Sequence, residues 1–164
     1  MDSEIRALIE RYDLQPLPVE GTLFAQTYCS AASTAIVALY AADPPSRSLF
    51  HRLTADEVWH AYAGDPFRLV LLHPDGTSED VVMGRGAGQH VQFTIPAGTW
   101  QAGELLPGGR YALFGCTVAP AFTPGCFEGG VAAELLARYP ARADDIGRLG
   151  LAADAEVRMP EPQA

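Results

Sequence analysis

The chain has 164 residues, room for one domain with a single sizeable core. At 48% hydrophobic and 19% charged it has an ordinary globular composition, and its longest apolar run, AIVALYAA (35–42), is too short to span a bilayer. A net charge of −9 argues against nucleic-acid backbones and anionic membrane surfaces, and all eleven basic residues are arginine, which excludes Schiff-base chemistry through a lysine side chain.

Ile5, Leu8, Ile9 and Tyr12 stand at helical spacing, predicting a short amphipathic helix over 3–12 with Ser3 as its cap. That stretch is acidic and has no apolar signal core, so a cytoplasmic location is the default expectation. Two prolines in DLQPLPVEG (13–21) stop the helix. From there the pattern has period two. Strands are expected at 22–28, 33–40, 48–53, 57–63, 67–73, 80–83, 90–95, 99–105 and 111–118, separated by glycine- and proline-rich turns. Asp75-Gly76 between two apolar runs is a hairpin signal. Many short strands at near-regular spacing imply an all-β antiparallel sandwich or barrel. Two short helices are expected at 130–140 and 141–150, the second ending on Gly150, with one domain over 1–152 and a loosely held tail over 153–164.

The three cysteines are odd in number and lack CxxC spacing, which argues against a disulfide framework. Cys116 reads as a buried apolar filler, and Cys126, in a Gly/Pro loop, as the cysteine most open to reaction. GRGAGQ (84–89) has glycines but no lysine or strand-to-helix context, so it is not a phosphate loop.

Chemistry-bearing residues concentrate in FHRLTADEVWHAYAG (50–64). If Glu57 points into a barrel, alternation sends Trp59 and Ala61 the same way and turns His60 outward with Val58 and Tyr62. Gln26, Gln92 and Gln101 are neutral amides in apolar strand patterns, and buried amides need hydrogen-bond partners, as a polar ligand could supply. Pattern alone does not say which face of 90–95 looks inward.

EGTLFAQTY, STAIVALY, FHRLTADEVWHAYAGDP, HPDG, GQHVQFTIPAGTWQAGEL, YALFGCTVAPAF and FEGG together resemble the cupin superfamily, and within it the small single-domain family of unknown function of the DUF985 type. The resemblance covers most of residues 4–150. It implies a double-stranded β-helix, the cupin jelly-roll barrel, assembled as a homodimer with a small-molecule pocket at one end. Laid onto the metal-cupin pattern, His51, Leu53, Glu57 and Gln101 occupy the four ligand positions, so only His51 and Glu57 retain strong donors. Phe127 and Glu128 match the family's FE near the pocket mouth. Gln26 and Cys29 stand where the family often has glutamate and arginine, and TPGC replaces its usual acidic stretch.

The leading expectation is a metal-independent, cofactor-free enzyme that moves a proton on a small polar, sugar-like or carbonyl compound, as an epimerase, isomerase or dehydratase does. His51 serves as base and Glu57, hydrogen-bonded to it, as its orienting partner. Gln26, Trp59, Gln92, Trp100, Gln101 and Phe127 are the expected ligand contacts. A ligand-binding cupin without catalysis is the second reading. A metal-dependent enzyme using His51, Glu57 and Gln101, with His60 in reserve, is the third.

Overall fold

The computed structural model describes residues 2–161. Helix α1 (Ser3–Tyr12) lies where its periodicity predicted, but its cap is Asp2 rather than Ser3, the Asp2 carboxylate accepting the Glu4 backbone N–H. Its apolar stripe, Ile5, Leu8, Ile9 and Tyr12, packs on Leu39, Ala41 and Leu113. The chain then forms strands β1 (Gln15–Pro16), β2 (Leu23–Cys29), β3 (Thr34–Ala42), β4 (Pro45–Ser46), β5 (Ser48–Leu53), β6 (Asp56–Gly64), β7 (Phe67–Leu72), β8 (Ser78–Met83), β9 (Gln92–Ile95), β10 (Trp100–Leu105), β11 (Tyr111–Ala119) and β12 (Phe127–Gly129). Helices α2 (Ala132–Arg138) and α3 (Ala143–Leu149) follow. Every expected strand is present within a few residues. The additional ones, β1, β4 and β12, are two or three residues long, too short to carry a period.

All named strand pairings are antiparallel. One sheet runs β1-β2-β3-β11-β6-β9 with β4 beside β3, the other β12-β5-β10-β7-β8. Their inner faces meet in one core. Tyr40, Trp59 and Phe114 from the first sheet pack against Phe67, Leu69, Leu71 and Met83 from the second. This is the all-β antiparallel arrangement the strand pattern predicted, in the jelly-roll form that the family resemblance implied. Asp75 and Gly76 turn β7 into β8, with Gly76 at φ +93° and the Asp75 carboxylate accepting the Thr77 N–H.

The outer face of the second sheet is closed by α2 and α3. Leu135, Tyr139, Ile146 and Leu149 cover Phe50, Val70, Leu72 and Trp100. An ionic cluster pins α3 at the rim: Asp145 accepts from Arg68, Arg142 and Arg148, and Glu104 accepts from Arg68 and Arg148. Gly150 ends α3 in extended conformation (φ −81°, ψ 153°), not as a left-handed cap.

The tail expected to be loosely held is engaged as far as it is described. The Val157 carbonyl accepts the Gly129 N–H at 2.7 Å, and Met159 is buried beside Leu53 and Phe127. Residues 162–164 of that tail lie outside the described residues. Among the described residues no helix is long and apolar enough to cross a membrane.

Candidate functional site

Between the two sheets, toward the end where β12 and the tail close over the barrel, lies a cavity of about 470 Å³. Its sides are apolar: Phe24 and Ile36 from β2 and β3, Trp59 from β6, Phe114 and Val118 from β11, and Phe127 from β12. Its buried polar groups are Glu20, Thr22, Thr34, His51 and Glu57. The volume suits a small organic molecule, since ligand cavities run roughly 300–1,000 Å³.

β5 alternates so that His51 and Leu53 face the cavity and Arg52 faces away. The His51 ring lies flat against Phe127, centroids 5.2 Å apart and planes 12° apart. Its Nδ1 is 2.8 Å from the Leu49 carbonyl, which can only accept, so Nδ1 carries a proton. Its Nε2 is 3.0 Å from Glu20 Oε2. Both ring nitrogens are therefore engaged, and the partner is Glu20 rather than the expected Glu57. Glu20 sits in the loop before β2, at the end of the proline-rich connection and the head of EGTLFAQTY, and is not among the expected site residues. A carboxylate two positions before a buried threonine, inside a family motif, was the available signal.

Glu20 in turn heads a chain of hydroxyls. Thr22 donates to Glu20 Oε1 at 2.5 Å, Thr22 and Ser48 are 2.6 Å apart, and Ser48 and the Tyr40 hydroxyl are 2.6 Å apart. All of these side chains are buried. Oriented from Tyr40 through Ser48 and Thr22, each O–H has an acceptor and the last donates to the carboxylate. Burial pushes the Tyr40 phenol well above its ordinary range, which keeps it a donor.

Glu57 comes from β6, where Trp59 shares its inward face as alternation predicted. Gln101 lies next to His51 across the β5–β10 pairing. Its amide nitrogen donates to Glu57 Oε2 at 2.8 Å, and its oxygen accepts the Trp59 indole N–H at 2.9 Å. Gln101 thus fixes Glu57 and Trp59 from behind without lining the cavity. Burial pushes the Glu57 carboxyl up, and the charge of Glu20 adds to this, against the opposing pull of His51 and the Gln101 hydrogen bond. Burial likewise pushes the neighbouring Cys116 thiol well up, so it stays a thiol.

Three expected ligand contacts do not line the cavity: Gln101, which stands behind Glu57 and Trp59, and Trp100 and Gln92, which face elsewhere. Trp100 precedes Gln101 on one strand, so the two must face opposite ways. Trp100 packs under α2 and α3, with the Arg52 guanidinium 4.4 Å from its ring centroid. Gln92 pairs with His60 across β9 and β6 on the outer face, its amide donating to His60 Nδ1 at 3.3 Å, while His60 Nε2 meets the Thr117 hydroxyl at 3.2 Å. His60 therefore supports the sheet from outside. Phe127, Trp59 and Gln26 do line the cavity, Gln26 from an exposed position at the mouth, and Glu128 pairs with Arg52 on the far face. Cys126 is buried, with burial pushing its thiol up, which goes against the expectation that it is the cysteine most open to reaction; Cys29 is the cysteine exposed at the mouth.

The positions that match the cupin metal pattern do not make a metal site. Leu53 has no donor atom, both His51 nitrogens are engaged, and the Gln101 oxygen is held by Trp59. Among the described residues no three His, Cys, Asp or Glu side chains are grouped so as to hold a metal ion. The donor set does not fit a divalent cation.

The family model described as cupin superfamily (DUF985) matches residues 6–129. The chain belongs to this cupin family. Among solved structures, the DUF985 cupin is similar to a hypothetical protein from Leishmania major, with 26% identity over 92% of this chain and 99% of that one and a TM-score of 0.80. A protein from Shewanella oneidensis is 28% identical over 93% of this chain and 99% of its own, with a TM-score of 0.81. Oxalate decarboxylase from Bacillus subtilis is 13% identical over 93% of this chain and 41% of its own, with a TM-score of 0.53, a likeness of fold alone. Comparison with curated proteins finds no match.

Proposed function

We propose that this cupin is a metal-independent enzyme that moves a proton on a small molecule bound between its two sheets, as in an isomerisation, epimerisation or dehydration beside a carbonyl. The observation that carries the reading is the His51–Glu20 contact on the cavity wall. His51 Nδ1 already carries a proton, so the Nε2–Oε2 line at 3.0 Å holds one more, shared by the pair. A shared proton at a cavity surface can be given to a substrate or, once given, replaced from it. Glu57, kept protonated to higher pH than an exposed carboxyl by its burial, supplies a second site for proton transfer. In this reading His51 and Glu57 touch the substrate, Glu20 and Gln101 position them, and Trp59 and Phe127 hold the apolar part. A cytoplasmic location and a homodimer, both expected above, are part of the proposal.

The test is exchange of substrate protons with solvent. A panel of small ketones and hydroxyketones incubated with the protein in D₂O should show α-proton exchange above background by ¹H NMR. His51→Ala should abolish that exchange while a folded thermal transition persists. Equal exchange by wild type and His51→Ala would exclude His51 as the proton carrier. Retained ligand binding without exchange, in the wild type, would favour the second reading, a binding cupin without catalysis.

A further inference from the structure

We infer that the cavity is selective by charge: it takes an uncharged molecule with one carbonyl or hydroxyl head on a broad apolar body, and rejects carboxylates and phosphates. This rests on the reading of the cavity as a small-molecule site and deepens it. The first observation is the lining itself, which contains no arginine, in a chain that has no lysine. The arginines that the structure shows paired serve elsewhere: Arg68, Arg142 and Arg148 hold α3, Arg52 holds Glu128, and Arg110 holds Asp2 and Glu4. Among the described residues no guanidinium lines the cavity to clamp an anion in the way carboxylate and phosphate sites require.

The second observation is the proton count. Whether the shared proton resides on His51 or on Glu20, the charges of the pair sum to zero. The cavity therefore offers no net positive charge. Glu57 on the inner wall and Glu161 at the mouth add only neutral or negative groups. An anion entering would lose its hydration without gaining a counter-charge, in a protein of net charge −9. A carbonyl or hydroxyl head meets a donor and acceptors at Thr22, the His51–Glu20 pair and Glu57, while Phe24, Ile36, Phe114 and Val118 contact only an apolar body. This restricts the broad class of polar, sugar-like compounds: highly hydroxylated sugars and their phosphates find too few partners.

Three probes that share one skeleton test this: 2-acetylnaphthalene, 2-naphthoate and 2-naphthylmethylammonium, titrated against the purified protein at neutral pH with saturation-transfer NMR and calorimetry. The ketone should bind on the order of tenfold more tightly than the carboxylate. Gln26→Arg, a substitution at an exposed mouth position that leaves the core untouched, should narrow that gap by strengthening naphthoate binding. Naphthoate binding as tightly as the ketone overturns the inference. So does tightest binding of the ammonium, which would mean unpaired carboxylates in the cavity, and so does the absence of saturable binding by all three. The readout is affinity alone, so a protein that binds in this order yet exchanges no protons sinks the catalytic reading and leaves this one standing.

Discussion

His51 Nε2 lies 3.0 Å from Glu20 Oε2, a contact that ties β5 to the loop ahead of β2 across 31 residues of chain and buries both partners. Strands alone would leave a histidine on the barrel wall. The loop turns it into half of a proton-sharing pair, and the hydroxyls of Thr22, Ser48 and Tyr40 fix the other half. Removing one member of such a set strands the rest without water to replace it.

Glu20→Ala should therefore destabilise the fold by about 2–4 kcal/mol, because the His51 nitrogen and the Thr22 hydroxyl both lose a buried partner. Glu20→Gln, which keeps a hydrogen-bonding oxygen, should cost less than half as much. Urea denaturation of the three proteins measures this. A Glu20→Ala variant as stable as wild type would show that the chain of hydroxyls does not act as a unit.

Gln101→Leu is close in volume but takes away the partner of Glu57 and of the Trp59 indole at once. A loss of about 2–4 kcal/mol is expected, together with a change in tryptophan fluorescence from the altered indole environment. Trp59→Phe should cost less, since it removes the indole donor along with its need for a partner. The order of the two midpoints decides the matter.

Glu57 has a folded-state pKa raised above its ordinary 4.5, mainly by burial. Its protonated form is the one that suits the fold, so below the unfolded value wild type and Glu57→Gln should have similar stability. As pH rises through the raised folded-state value the wild type loses stability and the glutamine variant does not, so their difference should grow and then level off. Thermal melts at a series of pH values between 4 and 8 follow it. A gap that shrinks with rising pH would reverse the assignment.

Asp145 behaves in the opposite sense. Burial alone would raise its carboxyl, but hydrogen bonds from Arg68 and Arg142 outweigh it and hold the carboxyl below its ordinary 3.8. Asp145→Asn should cost about 2–3 kcal/mol at pH 7. That difference should be present above the unfolded value and fade as pH falls through the lowered folded-state value. The substitution loosens α3 on the outer face of the second sheet, and no α3 residue lines the cavity, so probe affinity there should stay unchanged while stability falls.

Treatment with a chelator followed by buffer exchange should leave both the melting temperature and any proton exchange unaltered, since Leu53 and the engaged Gln101 oxygen leave no complete donor set. Adding manganese, zinc or nickel should not raise the melting temperature. A rise that saturates near one equivalent would show that His51 and Glu57 rearrange to bind metal.

Period-two patterning and turn chemistry were enough to place the nine longer strands and the hairpin at Asp75-Gly76, because burial on one face writes itself into alternate residues, while helical spacing and the Pro and Gly stops placed the three helices. Given Glu57 inward, as the family pattern implies, the same parity put Trp59 beside it and turned His60 outward. It could also have separated Trp100 from Gln101, which are consecutive and cannot share a face. Gln92 was harder, since its strand is two-faced in pattern, and only its register opposite His60 turns it out of the cavity.

What lay beyond the sequence was which separated segments come to rest against one another. Glu20 belongs to no regular element, and its importance arises because the start of β2 runs beside the β5 wall, where an ionisable pair is removed from water. The tail has no period either, yet Met159 and Val157 are held by Leu53, Phe127 and Gly129, contacts between residues about a hundred or about thirty positions apart. Local pattern records which face of a strand avoids water, and so it determined the all-β antiparallel class and the positions of the longer strands. Which donor meets which acceptor inside that barrel depends on long-range register, and only the tertiary structure decided that His51 shares its proton with Glu20.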